Sequence, residues 1–225
     1  MKPRASLFAL SFSAGLMALS LTGCSSFPRD KSSGPDAAKP VGGKSIQLLQ
    51  LRDNVKSTRV ALNRTTDALN RIPSAPNAQE AYAAFSTELI AFKKLAETTL
   101  HDSADVRNSG KVLFAQWEQE AATIKNADIR AIAEKRRSTL QAGYDAMITP
   151  LLAARADLTE IRNDLTDIQK ALSLDLTPAG IGSVQKPLEH INRKAVASST
   201  SLDALAANLD KIAADLPAAT VAPVK

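Results

Sequence analysis

The feature that most constrains this chain is an unbroken stripe of small and apolar residues near its C-terminal end. Ile181, Val184, Leu188, Ile191, Ala195, Ser198, Leu202, Leu205, Leu209, Ile212 and Leu216 follow one another by alternating steps of three and four. A strand would need a period of two. Steps that average three and a half put every member on one face of an α-helix, and that face demands partner helices along its whole length. The partners are in the same chain. Leu48, Leu51, Val55, Thr58, Leu62, Thr65, Leu69 and Ile72 form a first seam, with Thr at two positions. A second runs Tyr82, Phe85, Leu89, Phe92, Ala96, Thr99, Ser103, Val106, Gly110, Leu113, Trp117 and Ile124. A third runs Met147, Leu151, Ala154, Leu158, Ile161, Leu165, Ile168 and Leu172.

The stops between the seams are equally legible. Pro73 and Pro76 end the first segment. Asn77 followed by Glu80 predicts a capping box at the start of the second, Asn126 and Asp128 predict a tight turn, and Thr177 before Pro178 predicts the N-cap of the fourth. Pro217 closes that fourth helix, and Pro187, off the seam in its early turns, should kink it only modestly. Gly110 and the weak stretch around Ser103 mark a candidate kink in the second segment, but its preserved phase predicts one long helix. In the third, Ile129 and Ile132 do not share the register of Leu140 and Met147, which with Pro150 predicts a bend or register change near Thr149. Composition agrees, with 39 Ala and 27 Leu against 9 Gly and few aromatic residues. The expected fold is all-α, an elongated antiparallel four-helix, coiled-coil-like bundle whose helices of about 27, 48, 46 and 39 residues measure roughly 40, 70, 70 and 60 Å.

Ahead of the bundle the pattern changes. Lys2 and Arg4 precede an apolar run from Ala5 to Leu21, too short for a stable membrane span, so residues 1–23 read as a signal peptide. The run closes on Leu21-Thr22-Gly23-Cys24, and Cys24 is the sole cysteine. This sequence resembles the lipobox of bacterial lipoproteins. The resemblance implies cleavage before Cys24, a diacylglycerol on its thiol and an acylated amine, together enough acyl chain for stable anchoring. Ser25 in place of Asp resembles the sorting signal for the outer membrane, which places the chain on its periplasmic face. Residues 24–45 read as a lipidated, disordered tether rich in Ser, Gly, Pro and Lys, residues 46–217 as the helical bundle, and residues 218–225 as a flexible tail.

A second resemblance lies inside the bundle. Val112-Leu113-Phe114-Ala115-Gln116-Trp117-Glu118-Gln119-Glu120, then Ile129-Arg130, Tyr144, Met147 and Pro150-Leu151-Leu152, resembles an uncharacterised bacterial family of helical envelope proteins known as a domain of unknown function. The similarity runs from the second helix onward and departs at Gln169-Lys170-Ala171-Leu172, where the family is more polar. It implies a helical, coiled-coil-like domain and no activity.

Few residues invite chemistry. With one Cys and two distant histidines, His101 and His190, an intramolecular disulfide is excluded and no metal site or cofactor is expected. Asp157, Glu160, Asp164 and Asp167 line one side of the third helix, where paired carboxylates serve acid–base work or hold a hard cation. Asp157 and Asp164 flank the seam opposite Arg155 and Arg162, so the expected role is solvated charge that sets helix pairing, with no converging His. Lys135, Arg136 and Arg137, near Lys125 and Arg130, form the one basic cluster. It is expected as a charged surface turn, with lipid headgroups or an acidic partner as the functional reading, and the lack of interleaved aromatics argues against nucleic acid. Trp117, the sole tryptophan, falls on the seam as a core residue, or alternatively serves as an anchor for a protein partner. The terminal Lys225 resembles the wall-linked lysine of the murein lipoprotein, which would add peptidoglycan as a covalent partner. No catalytic residue is assigned. The expected function is a lipid-anchored, non-enzymatic scaffolding rod that meets a protein partner, a second copy or the wall; the alternative is a module that shelters a hydrophobic or anionic ligand between its helices.

Overall fold

The computed structural model describes residues 42–216, with side chains from residue 46. Every regular element among them is helical: α1 (Gly42–Arg71), a single 3-10 turn at Ile72–Ser74, α2 (Ala78–Ala122), α3 (Ala127–Leu174), α4 (Pro178–Ser183) and α5 (Gln185–Asp215). The chain therefore folds as the all-α bundle that its seams predict. α1 packs on α2 and α5, and α3 packs on α2 and α5, which closes a four-helix ring. Short turns make sequence neighbours antiparallel. None of these helices is long and apolar enough to cross a membrane.

All eight members of the first seam are buried, and so are those of the last from Val184 onward. Caps sit where expected. Asn77 Oδ1 accepts from the Glu80 amide at 3.2 Å, Asn126 Oδ1 from Asp128 and Ile129, and Thr177 Oγ1 from Gly180. α1 starts four residues earlier than the expected boundary, so residues 42–45 form its first turns rather than the end of a tether. A first turn needs no buried stripe, which is why hydrophobic periodicity places the start too late.

Three expectations need correction. The fourth segment is two helices, broken at Val184 (φ −93°, ψ 4°). Pro187 has no N–H to give to Ser183 and its ring crowds that carbonyl, so the helix restarts with Pro187 in its first turn, where the missing donor costs nothing. Pro150, by contrast, lies inside a continuous α3, and burial steps from Met147 to Leu151 to Ala154 without a change of register. In α2 the seam slips instead: Ser103, Val106, Gly110 and Phe114 are buried, and Leu113 is only half-buried. Steps of three, four and four follow the straight helix more closely than a heptad does, so the stripe drifts by one residue.

Gly110 fixes how closely α2 and α3 approach. The Tyr144 ring lies over it, packs edge-on against Phe114 at 5.5 Å between centroids, and donates its hydroxyl to the Val106 carbonyl. A Cβ at position 110 would overlap the far end of that ring. Gly143, on the outer face of α3, has nothing within 4 Å of a built Cβ. Alanine normally stabilises a helix by about 1 kcal/mol over glycine. Gly143→Ala should therefore raise the urea midpoint, whereas Gly110→Ala should lower stability by about 1–3 kcal/mol, the usual cost of overpacking. Equal shifts of the same sign would show that Tyr144 does not occupy the space over Gly110.

Candidate functional site

Polar side chains join the helices at defined levels. Between α1 and α5, Arg52 Nη1 meets Asp210 Oδ1 at 2.5 Å, Arg59 meets Asp203 at 2.9 Å, Ser199 donates to Asn63 at 2.8 Å, and Asn192 donates to Asn70 at 2.7 Å. Each advance of seven or four residues along α1 is matched by an equal retreat along α5. Lys56 also reaches Asp210, and the Arg52 guanidinium holds the Asp210 carboxyl below the usual carboxylate range. Between α1 and α2, the buried Thr58 and Thr99 hydroxyls bond to each other at 2.9 Å, and Asn54 donates to Asp102 at 2.6 Å.

The carboxylates of α3 do not act as one row. Glu160 pairs with Lys194 of α5, and Asp167 pairs with Lys170 on its own helix at 3.2 Å. The expectation that no histidine converges on them is overturned: His190 of α5 comes within 4.8 Å of both Glu160 and Asp164, ligand atom to ligand atom. Antiparallel packing of α3 and α5 makes this contact, which no single-helix periodicity can reveal. Glu160, Asp164 and His190 form one of two groups that could hold a divalent cation, the other being His101, Asp102 and Asp105, although Lys194 already supplies positive charge to the first and both face solvent. His101 stands exposed over Asp102 and Asp105, at 3.5 and 3.3 Å. Arg155 is no mere flanking charge, because its guanidinium reaches across to the Leu100 carbonyl and the Ser103 hydroxyl of α2. Arg162 lines an open surface groove with Lys93 and Glu97.

The basic cluster lies within α3, not on a turn, and the three side chains diverge. Lys135 is exposed, Arg136 donates to the Asp215 carbonyl at the end of α5 at 2.6 Å, and Arg137 bonds Gln141 at 2.8 Å and approaches Glu118 of α2 at 3.7 Å. Arg136 thus caps a helix C-terminus, where a cation is favourable. Trp117 is half-buried against the core rather than enclosed by it. Cys24 and Lys225 lie outside the described residues.

These contacts also locate the ends. Leu48, Gly110, Tyr144, Ile212 and Leu216 line one partly enclosed cavity of about 20 Å³, so Leu48, in the second turn of α1, stands level with the finish of α5. α2 and α3 continue past the end of α5 as a hairpin, residues 115–122 and 127–135, about 12 Å long. Trp117 is on it, and Ile129 and Ile132 are 55% and 69% exposed.

Four long helices in an antiparallel ring, with apolar seams inward and charge outward, define a coiled-coil-like helical bundle. The chain belongs to the family described as protein of unknown function DUF2959, whose model matches residues 46–214. Comparison with curated proteins and with solved structures gives no match.

Burial pushes the Tyr144 hydroxyl up to about 12, and the Asp145 charge adds to the rise. The unfolded chain releases this proton near pH 10, before the folded chain does, so the contribution is complete below about pH 10 and is lost as pH climbs through about 12. Between about pH 9 and 11, wild type should lose about 1 kcal/mol more unfolding free energy than Tyr144→Phe. Parallel urea titrations at the two pH values measure it, and identical losses would mean that the phenol is solvated.

Proposed function

We propose that this protein is a lipid-anchored, non-enzymatic rod of the bacterial cell envelope, held by acylated Cys24 on the periplasmic face of the outer membrane, that scaffolds protein or wall components. The observation that carries the rod reading is the filled interior. Between the helices, the hollow beside Gly110 and Tyr144 measures about 20 Å³, room for roughly one water, and the hollows of about 450–580 Å³, the volume a carrier of small molecules needs, are open grooves on the surface. Leu21-Thr22-Gly23-Cys24 supports the anchor. The bundle returns Leu216 to the end at which α1 begins, so its length does not separate the two ends of the described chain, which gives no support to a wall-linked Lys225. The reading adopted therefore rests on non-covalent partners.

Growth with radiolabelled palmitate tests the anchor: the wild-type chain should take up label and fractionate with membranes, while Cys24→Ala should lose label and appear as a soluble or unprocessed precursor. Label retained by the variant overturns the anchor. Native mass spectrometry of the purified protein tests the rod, and a stoichiometric small ligand released from the folded chain overturns it in favour of the sheltering module.

A further inference from the structure

Among the described residues, Ile129 and Ile132 have no partner helix beyond the end of α5. Their heptad phases are those of Asp164 and Glu160, which meet His190 and Lys194 of α5, and Ile129 is one heptad before Arg136, which caps α5 at Asp215. Both isoleucines therefore lie on the α5-facing flank of α3 and continue it beyond the last turn of α5, where it is left bare. The same end of the bundle is where the chain from Cys24 enters α1. Residues 25–41 separate the two, a stretch whose contour length, at most about 60 Å, bounds how far the start of α1 can stand from Cys24. Among the described residues, this hairpin lies at the end of the bundle where α1 begins.

We propose that the tip of the α2–α3 hairpin, through Ile129 and Ile132 and the turn beside Lys125, rests in the lipid surface that holds Cys24. The inference deepens the anchored-rod reading and depends on it. Anchoring makes docking intramolecular, so a small apolar contact suffices where a free protein would need a much larger one. Charge plays the lesser part. Lys125, Arg130 and Lys135 are offset by Glu120, Asp128 and Glu134, while Arg137 is engaged by Glu118 and Arg136 by the end of α5. Docking should accordingly depend little on anionic lipid, and the long basic side chains can lie along the interface with their charges in water.

The sole tryptophan reports the event. Trp117 sits on the overhang, roughly 9 Å along α2 from the turn. The acylated full chain would be reconstituted in vesicles of phosphatidylethanolamine and phosphatidylglycerol, and separately of phosphatidylcholine, each with and without lipids brominated near the headgroup end. The expected result is quenching of Trp117 by brominated lipid in both compositions. Ile129→Ser with Ile132→Ser should lower the docked-to-undocked ratio roughly tenfold or more while leaving the helical circular dichroism and the acyl mass on Cys24 unchanged. An acylated, vesicle-bound chain whose Trp117 is not quenched overturns the docking alone. A chain with no acyl mass on Cys24 overturns the anchored reading itself. A change in Trp117 that follows protein density without brominated lipid assigns the bare flank to a second copy and also overturns the proposal.

Discussion

The register of α1 against α5 is the constraint on which the rest of this molecule depends. The other three helix pairs have direct links, short turns for α1–α2 and α2–α3 and the ten residues that include α4 for α3–α5, which set their alignment. α1 and α5 have no such link. Their alignment rests on Arg52 with Asp210, Arg59 with Asp203, Asn63 with Ser199 and Asn70 with Asn192, four polar contacts in one antiparallel register. Each is exposed enough to be individually weak. Together they disfavour neighbouring registers, because a slip of one heptad that set Arg52 opposite Asp203 and Asn63 opposite Asn192 would put Arg59 opposite Val196 and Ser199 opposite Lys56. That register closes the ring, sets Leu48 beside Ile212 and Leu216, and leaves α2 and α3 to overhang.

Inside the ring, close approach replaces bulk. Thr58 faces Thr99, Ser103 accepts from Arg155, and Gly110 lies beneath Tyr144. The Thr58, Thr99 and Ser103 hydroxyls have partners and so do not carry the cost of an unsatisfied donor, whereas the buried Ser198 hydroxyl has none. The apolar area per turn is low, and length makes up for it. Because each level touches only the levels above and below, stability is distributed along the bundle much as in a repeat array.

Most of the architecture was legible because one signal, the three-four alternation, encodes both the helix and its buried face. The seams of α1 and α5 were read residue by residue, as were Asn77, Asn126 and Thr177 as caps. What escaped has a common cause: it depends on pairs distant in sequence or on competition within a single turn. Phe114 displaces Leu113 from the core because Gly110 and Tyr144 bring α3 close there. Pro187 breaks the helix and Pro150 does not, although both lie off the seam, since only Pro187 stands where a new first turn can form. The convergence of His190 with Glu160 and Asp164, and the reach of Arg155 to Leu100, arise from antiparallel packing. The polar ladder left a fainter trace, with Arg52, Arg59 and Asp203, Asp210 each spaced by one heptad on complementary flanks. Lys135, Arg136 and Arg137 read as a patch only because they are consecutive; a helix turns about 100° per residue and sends them apart.

The overhang is the place where this economy fails. Below Phe114, α2 packs on α1 and α3, and α3 on α2 and α5; above it, among the described residues, the seam of α3 continues through the half-buried Arg137, Ala133 and Arg130 rather than large apolar residues. Its helicity rests on the cap at Asn126, the pair of Arg137 with Glu118 and the anchoring of Arg136 at the end of α5. A segment with little buried area and few cross-helix bonds opens at lower free energy than the body of the bundle. The hairpin is therefore both the most exposed apolar feature at the chain's point of entry and the part whose order a contacting surface can change most. Large apolar side chains are exposed elsewhere on the bundle too, Ile90, Leu174 and Val196 among them, so this combination marks the capacity for interaction at this end rather than the whole of it.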